Sequence, residues 1–458
     1  MSLRGVPQSG TRKQSSWIAA PGSAGLAMTI GHSSRSRRPP PGVFLSSPAP
    51  VNLLLLRHAR ILTLAAGDRP RRGAALGQLG VVERGDVLVR DGLIAAIEPS
   101  IEAPPDTQVL EAGGRVLMPG FVDCHTHACW AGDRLAEWEM KLRGMSHTKI
   151  LEAGGGIQAT VRAVRDATRK QLAANLRSHL DTMLREGTTT IEVKSGYGLR
   201  VDDELNMLHA ILRAAHEWPG TVKPTALLGQ AFEGDIADYS KMVLRDILPA
   251  VAKDFPGITI DAYCERNGWP VDAVVRLFEK ARKHHPLRVH ADQFNSLGMV
   301  PEALRLGVRS IDHLEASTDA DLAALAQSHA FGVILPLSGF QTNGRYARAR
   351  KFVDAGGLLA LATDCNPGTA PSSSLPFAIA LAVRACRLTP GEAIAAATVN
   401  AASVLGLTDR GTIAVGQRAD LILLRHKDER LLAYEFGGNP VDAVICGGKL
   451  VTSTDAQR

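Results

Sequence analysis

The chain has 458 residues, of which 45% are hydrophobic, 21% charged and 5% aromatic. That is a globular composition: it excludes wholesale disorder, collagen and low-complexity scaffolds, and no stretch of about 18 uninterrupted apolar residues marks a membrane span. The formal charge of +6 resides in residues 1–50, where Arg4, Arg12, Lys13, Arg35, Arg37 and Arg38 meet no acid. The body is balanced and offers no basic surface for nucleic acid.

Residues 1–50, rich in Ser, Gly, Pro and Arg, lack the apolar core of a secretory signal and read as a disordered basic tail. The alternative is a start placed too early, with Met28 as the true one. Residues 51–117 then change character. VNLLLLRHARILTL, GDVLVRDGLIAAIEPS and TQVLEAGGRVLMPG are short apolar runs punctuated by glycine, as strands are. The last segment, 410–458, repeats that texture in ADLILLRH and VDAVICGGKLVTS. The two ends are therefore expected to build one small β-sandwich, with residues 118–409 as a continuous insertion.

In that insertion a long amphipathic segment, 157–186, precedes TTTIEVKSGYG. The apolar runs TVKPTALLG, ITIDAYCE, LRVHADQF, RSIDHLE, FGVILPL and LLALATDCNP follow, with helix-like segments between several of them. Strands alternating with helices predict a parallel sheet, and eight such units a (β/α)8 barrel with its site at the strand C-terminal ends. The fold class is thus α/β. The six cysteines, Cys124, Cys129, Cys264, Cys365, Cys386 and Cys446, are scattered without a CxxC pair. That argues against a disulfide framework or a zinc ribbon and for a reducing, cytoplasmic setting.

The chemistry-bearing residues sit where these runs end. Val122-Asp123-Cys124-His125-Thr126-His127 follows VLMPGF, and strand alternation turns His125 and His127 to one face and Cys124 to the other. His290 ends LRVH, His313 ends RSIDH, and Asp364 ends LALATD, each on a separate predicted strand. Neutral imidazoles with one carboxylate suit Zn2+, Fe or Mn2+ and leave room for a water, which the ion activates as a nucleophile. Lys194 in EVKSGYG is a candidate carbamate bridge for two metals, or a partner of Glu192. His284 and His285 read as solvated surface. Arg345, Arg348, Arg350 and Lys351 read as a helix face or as an attractor of anions.

PGFVDCHTH, the HAD and DHL segments, ATDCNPG and the closing GTIAVGQRADLILL resemble the amidohydrolase superfamily. AGDRLAEWEMKLRGMS, GGGI, GTTTIEVKSGYGL, HADQ, YARAR, TDCNPGT and ATVNAA narrow the likeness to its imidazolonepropionase branch, over about residues 52–455. The resemblance implies one Zn2+ or Fe ion per chain, held by His125, His127, His290 and Asp364. It implies that Arg134 binds a substrate carboxylate and that Tyr197 donates to the substrate. Asn366, Gly368 and Thr369 would line the pocket, and His313 would orient water or shuttle a proton beside Asp364. The implied reaction is hydrolysis of 4-imidazolone-5-propanoate to N-formimino-L-glutamate in histidine degradation. The implied partner is that small molecule alone, with homodimers common in the superfamily.

Three positions depart from the branch. Gln293 stands where a Glu is usual and becomes a hydrogen-bonding residue for the ring. Gln230, in Gly229-Gln230-Ala231-Phe232, stands in the place of a GAHA motif and its His. His147 replaces a Tyr and keeps a polar group. These departures leave a second reading open: hydrolysis or deamination of another small nitrogen heterocycle or formimino compound. A catalytically silent metal-binding barrel is a third.

Overall fold

The computed structural model describes residues 52–453, apart from Ser146 and Asn267. The basic tail of residues 1–50 lies outside the described residues. Five strands come first: β1 (Leu53–Leu62), β2 (Val81–Arg90), β3 (Leu93–Glu98), β4 (Gln108–Glu111) and β5 (Val116–Pro119). Eight follow, with helices between them: β6 (Phe121–Asp123), β7 (Thr188–Lys194), β8 (Thr221–Gly229), β9 (Thr259–Cys264), β10 (Arg288–Ala291), β11 (Ser310–His313), β12 (Phe331–Ile334) and β13 (Leu358–Leu361). Three close the chain: β14 (Leu421–Leu424), β15 (Val441–Cys446) and β16 (Lys449–Ser453).

The ends of the chain build one mixed sheet in the order β16-β15-β14-β5-β1-β2-β3, with β4 also on β1. The join is the antiparallel pairing of β14 with β5, Leu421 opposite Pro119 and Leu423 opposite Leu117. Side-chain alternation divides these strands between two cores. Leu117, Leu421, Leu423, Ala443 and Ile445 pack in the sheet's own core. Met118, Ile422, Leu424 and Val444 pack in the core shared with the barrel. A one-residue slip would exchange the two sets, so the pattern sets the register.

Strands β6 to β13 lie in sequence order, each parallel to the next. The sheet closes beyond the last regular residues of β6 and β13. There the Asp364 amide donates to the His125 carbonyl (3.0 Å) and the His127 amide to the Cys365 carbonyl (2.9 Å). The seam of the barrel is therefore made by the segments that carry three of the four metal-type side chains. On its other side β6 pairs with β7, and Gly120 admits that close approach, since a Cβ there would stand 2.4 Å from Thr189 Oγ1.

The single amphipathic segment expected over 157–186 is two helices, Ile157–Asp166 and Arg169–Arg185. The break is a start signal: Thr168 accepts from the Gln171 amide while the Gln171 side chain reaches back, a capping box. Among the described residues, no helix is long and apolar enough to cross a membrane.

Candidate active site

At the C-terminal ends of the barrel strands lies a cavity of about 990 Å3, reached by His127, His290, His313 and Asp364 together with Arg134 and Tyr197. His125 and His127 extend β6, and alternation turns Asp123 and both histidines inward. Cys124 turns outward, into a cluster with Val122, Phe331 and the helix residues Ala401 and Ala402. Ligand-capable atoms of His125, His127 and His290 all lie within 4.8 Å of one another. Asp364 Oδ1 stands 3.6 Å from His125 Nε2 and 3.5 Å from His127 Nε2.

The donor chemistry fits a metal ion. His125 Nδ1 donates to Asp312 Oδ2 (2.6 Å) and His290 Nδ1 to Asp261 Oδ1 (3.1 Å). Those bonds leave the Nε2 lone pairs of both rings pointing inward. His125 Nε2 is buried without a hydrogen-bond partner. His290 Nε2 and His127 Nε2 face each other at 3.2 Å. Burial holds His125 well below its usual pKa, aided by the Lys194 charge; burial and His290 do the same for His127. Both are therefore neutral, as ligands must be. Burial also pushes the Asp364 carboxyl up to about 6, so an ionised Asp364 here calls for a cation beside it. Asp364 holds a left-handed backbone (φ 59°) and His313 another (φ 89°), strain of the kind kept at functional sites.

The surroundings of Lys194 disfavour a carbamate bridge. Its Nζ lies 2.7 Å from Glu192 Oε1 and 2.8 Å from Asp261 Oδ2, all three fully buried. Burial opposes the charge, but the surrounding Asp261, Glu192 and Asp312 carboxylates outweigh it and raise the pKa. Carbamate formation needs the neutral amine, which this cage disfavours.

His313 is tied through Nδ1 to Glu315 Oε1 (3.3 Å). Burial disfavours its imidazolium, but Glu315 more than compensates and its pKa is raised. Arg134 stands at the cavity wall, its Nε donating to Glu137 Oε2 (2.6 Å). Its Nη1 lies beside Gly368, where a Cβ would approach to 3.3 Å, and 3.5 Å from Thr160 Oγ1. One arm of the guanidinium thus faces the cavity while the other is held.

Tyr197 is buried, 6.1 Å ring to ring from His127. Its loop hangs on Glu204, which accepts from the amides of Gly196 (3.0 Å), Gly198 (2.9 Å) and Leu199 (2.9 Å). Gln230 lines the cavity, and its buried Oε1 has no protein partner. Gln293 accepts from the Tyr263 hydroxyl (2.9 Å) and donates to Ser338 Oγ (3.0 Å). Asn366, Gly368 and Thr369 line the wall beyond β13. Most of the Asn366 amide is used within its own turn, accepting from the Gly368 (2.8 Å) and Thr369 (2.7 Å) amides. His147 opens the helix His147–Glu152, and its side chain lies outside the described residues.

Asp292, two residues past His290, turns away to accept from Ser317 Oγ (2.8 Å). The basic run pairs elsewhere: Arg348 and Lys351 with Asp319, Arg350 with Glu392 and Asp354. Arg345 donates to the Phe294 carbonyl (3.0 Å). None of the four lines the cavity. His284 is exposed, whereas His285 is buried and bonded to the Ile258 carbonyl at 2.8 Å.

Sequence reasoning passed over Tyr263, Ser338, Glu137, Glu204, Asp261, Asp312 and Arg288. A charge inside an otherwise apolar strand was the available signal for the last three, because parallel barrel strands are buried on both faces.

The fold and this site define a class: residues 116–451 match the model of the Amidohydrolase family, and the chain belongs to that family. The imidazolonepropionase of Deinococcus radiodurans is 43% identical over 380 residues, covering 83% of this chain and 95% of that protein. That of Herpetosiphon aurantiacus is 43% identical, covering 87% and 96%. Within the amidohydrolases the chain belongs with these imidazolonepropionases. A solved mutant atrazine chlorohydrolase from Arthrobacter aurescens, complexed with zinc and atraton, shares the fold at a TM-score of 0.60 and 16% identity, over 88% of this chain and 96% of that one.

Proposed function

We propose that this chain hydrolyses 4-imidazolone-5-propanoate to N-formimino-L-glutamate, a step of histidine degradation. The observation that carries this reading is one cavity lined by Asp364, by His127 and His290 of the three-histidine cluster, and by the Arg134 guanidinium, whose Nη1 has only a long 3.5 Å contact to Thr160 Oγ1. The histidines with Asp364 suit hydrolysis of a cyclic amide, and the guanidinium suits a substrate with a carboxylate tail.

His125, His127, His290 and Asp364 would hold one Zn2+ or Fe ion per chain. When bound, the ion lowers the pKa of a water toward neutrality and polarises the ring carbonyl. Asp364 takes the proton of the attacking water on its carboxylate and returns it to the ring nitrogen as the carbonyl–nitrogen bond breaks. His313, fixed through Nδ1 to Glu315, presents Nε2 to the water and shuttles the proton. Arg134 binds the propionate and fixes the ring's position, so that binding energy far from the reacting carbon is spent on orientation. Tyr197, kept protonated by burial, donates to the substrate. Gln293 offers one N–H and one lone pair to the ring, and Gln230 Oε1 accepts a ring N–H. Asn366 shapes the turn that brings Gly368 and Thr369 to the wall. All six cysteines are buried free thiols, which suits the reducing cytoplasm.

The test is turnover of freshly generated 4-imidazolone-5-propanoate, followed by loss of its ultraviolet absorbance, with metal measured on the same sample. Rapid loss with about one metal per chain is expected. No loss at full metal content would move the reading to another small nitrogen heterocycle.

A further inference from the structure

Inside the barrel, beneath the three histidines, runs a belt of five buried charges of alternating sign. Asp312 Oδ2 accepts from His125 Nδ1 and from Arg288 Nη2 (2.5 Å). Arg288 Nη1 lies 3.4 Å from Glu192 Oε1, which is 2.7 Å from Lys194 Nζ. Lys194 pairs with Asp261 Oδ2, and Asp261 Oδ1 accepts from His290 Nδ1. None of the five is more than 1% exposed. The belt also grips the backbone on both sides of His125. Arg288 Nη1 donates to the Cys124 carbonyl (2.7 Å), and Glu192 Oε2 accepts from the Thr126 amide (3.0 Å). His127 Nδ1, by contrast, has no partner.

We propose that this belt is a single electrostatic unit coupling His125 to His290, in which Lys194 is a positioning residue that sets how strongly a cation is held above it. Three carboxylates face two cations, so the unit carries one net negative charge beneath the histidines. A buried charge is tolerated when paired and costly when not. Removing the Lys194 ammonium leaves the Glu192 and Asp261 carboxylates repelling each other, with Arg288, 3.4 Å from Glu192, the one cation of the belt still beside them. A bound cation relieves that repulsion, and the empty protein cannot. His127, outside the belt, is the compliant ligand and follows the other two. This inference rests on the metal-site reading of the cluster but not on the identity of the substrate.

The experiment compares wild type, Lys194→Met and the double variant Lys194→Met/Glu192→Gln, each loaded with Zn2+ and each stripped. Thermal unfolding of both forms and the rate of Zn2+ release to a chelator are the readouts. For Lys194→Met the stripped form is expected to lose more thermal stability than the loaded form. Its zinc release should slow at least about tenfold. The double variant restores one net negative charge, and the side-chain amide that replaces the Glu192 carboxylate still has an oxygen to accept from the Thr126 amide. Both readouts should therefore return to within about threefold of wild type for release and to the wild-type gap for unfolding. Equal losses in loaded and stripped Lys194→Met, with release unchanged or faster, would overturn the proposal and leave Lys194 a packing residue. A double variant as impaired as the single one, in folding or in zinc retention, would overturn it too. If only the single variant fails to fold, the charge balance is upheld. Failure of zinc to bind the wild-type protein at all would instead sink the metal-site reading beneath it.

Discussion

Replacing Arg134 separates substrate binding from metal binding. Its Nε and Nη2 are engaged by Glu137, and Nη1 is the arm that faces the cavity beside Gly368. A substrate carboxylate would therefore receive one charge-assisted hydrogen bond from Arg134, worth about 1.5–3 kcal/mol. Arg134→Ala should lower kcat/KM by about 10- to 100-fold, since each 1.4 kcal/mol is tenfold, and the loss should appear mostly in KM. Glu137 keeps its bonds from the Gly156 amide (2.8 Å) and Lys141 (2.7 Å), so stability should change by less than about 1 kcal/mol. Arg134 touches none of His125, His127, His290 or Asp364, so metal content should stay at the wild-type value. Arg134→Lys should rescue poorly, because an ammonium drawn to Glu137 cannot also fork toward the ligand. Steady-state kinetics and elemental analysis on the same preparation check all of this. An unchanged KM, or a metal content that falls with activity, would refute the role assigned to Arg134.

Chelation should abolish turnover and lower the unfolding temperature, with both restored by Zn2+, because an ion bound only by the folded state adds to its stability. Glu204→Ala strands three buried amides, of Gly196, Gly198 and Leu199. At about 1 kcal/mol or more each, urea unfolding should show a loss of at least about 3 kcal/mol, together with reduced kcat from a displaced Tyr197. Burial raises the Asp123 carboxyl to about 7 in the fold, against hydrogen bonds from Thr363 that lower it. A raised acid binds its proton more tightly when folded. Its contribution to stability is therefore full below about pH 4 and is lost as pH rises through about 7. Asp123→Asn should flatten that part of the pH dependence in chelator-treated protein, and urea midpoints at several pH values between 4 and 8 would show whether it does.

The architecture was legible because its signals are local. Apolar runs bounded by glycine marked the strands of both sheets, and strand periodicity alone turned His125 and His127 to one face and Cys124 to the other. Four such runs ending in His or Asp marked the mouth of the barrel. The wider environment was not legible, because periodicity says which face a side chain takes and not what stands across from it. His125 meets Asp312 over 187 residues of sequence, and only the staggered register of the closed barrel brings the two together. The same register cages Lys194 between Glu192 and Asp261, which disfavours the carbamate that the sequence left open. Asn366 spends most of its amide on its own turn, and Arg348, Arg350 and Lys351 find acids on neighbouring helices. Those outcomes depend on distances among chain segments that no short pattern encodes. The amino-acid order thus settled which residues point into the barrel, and tertiary packing decided which of them are partnered there and which keep a free donor or lone pair for the substrate.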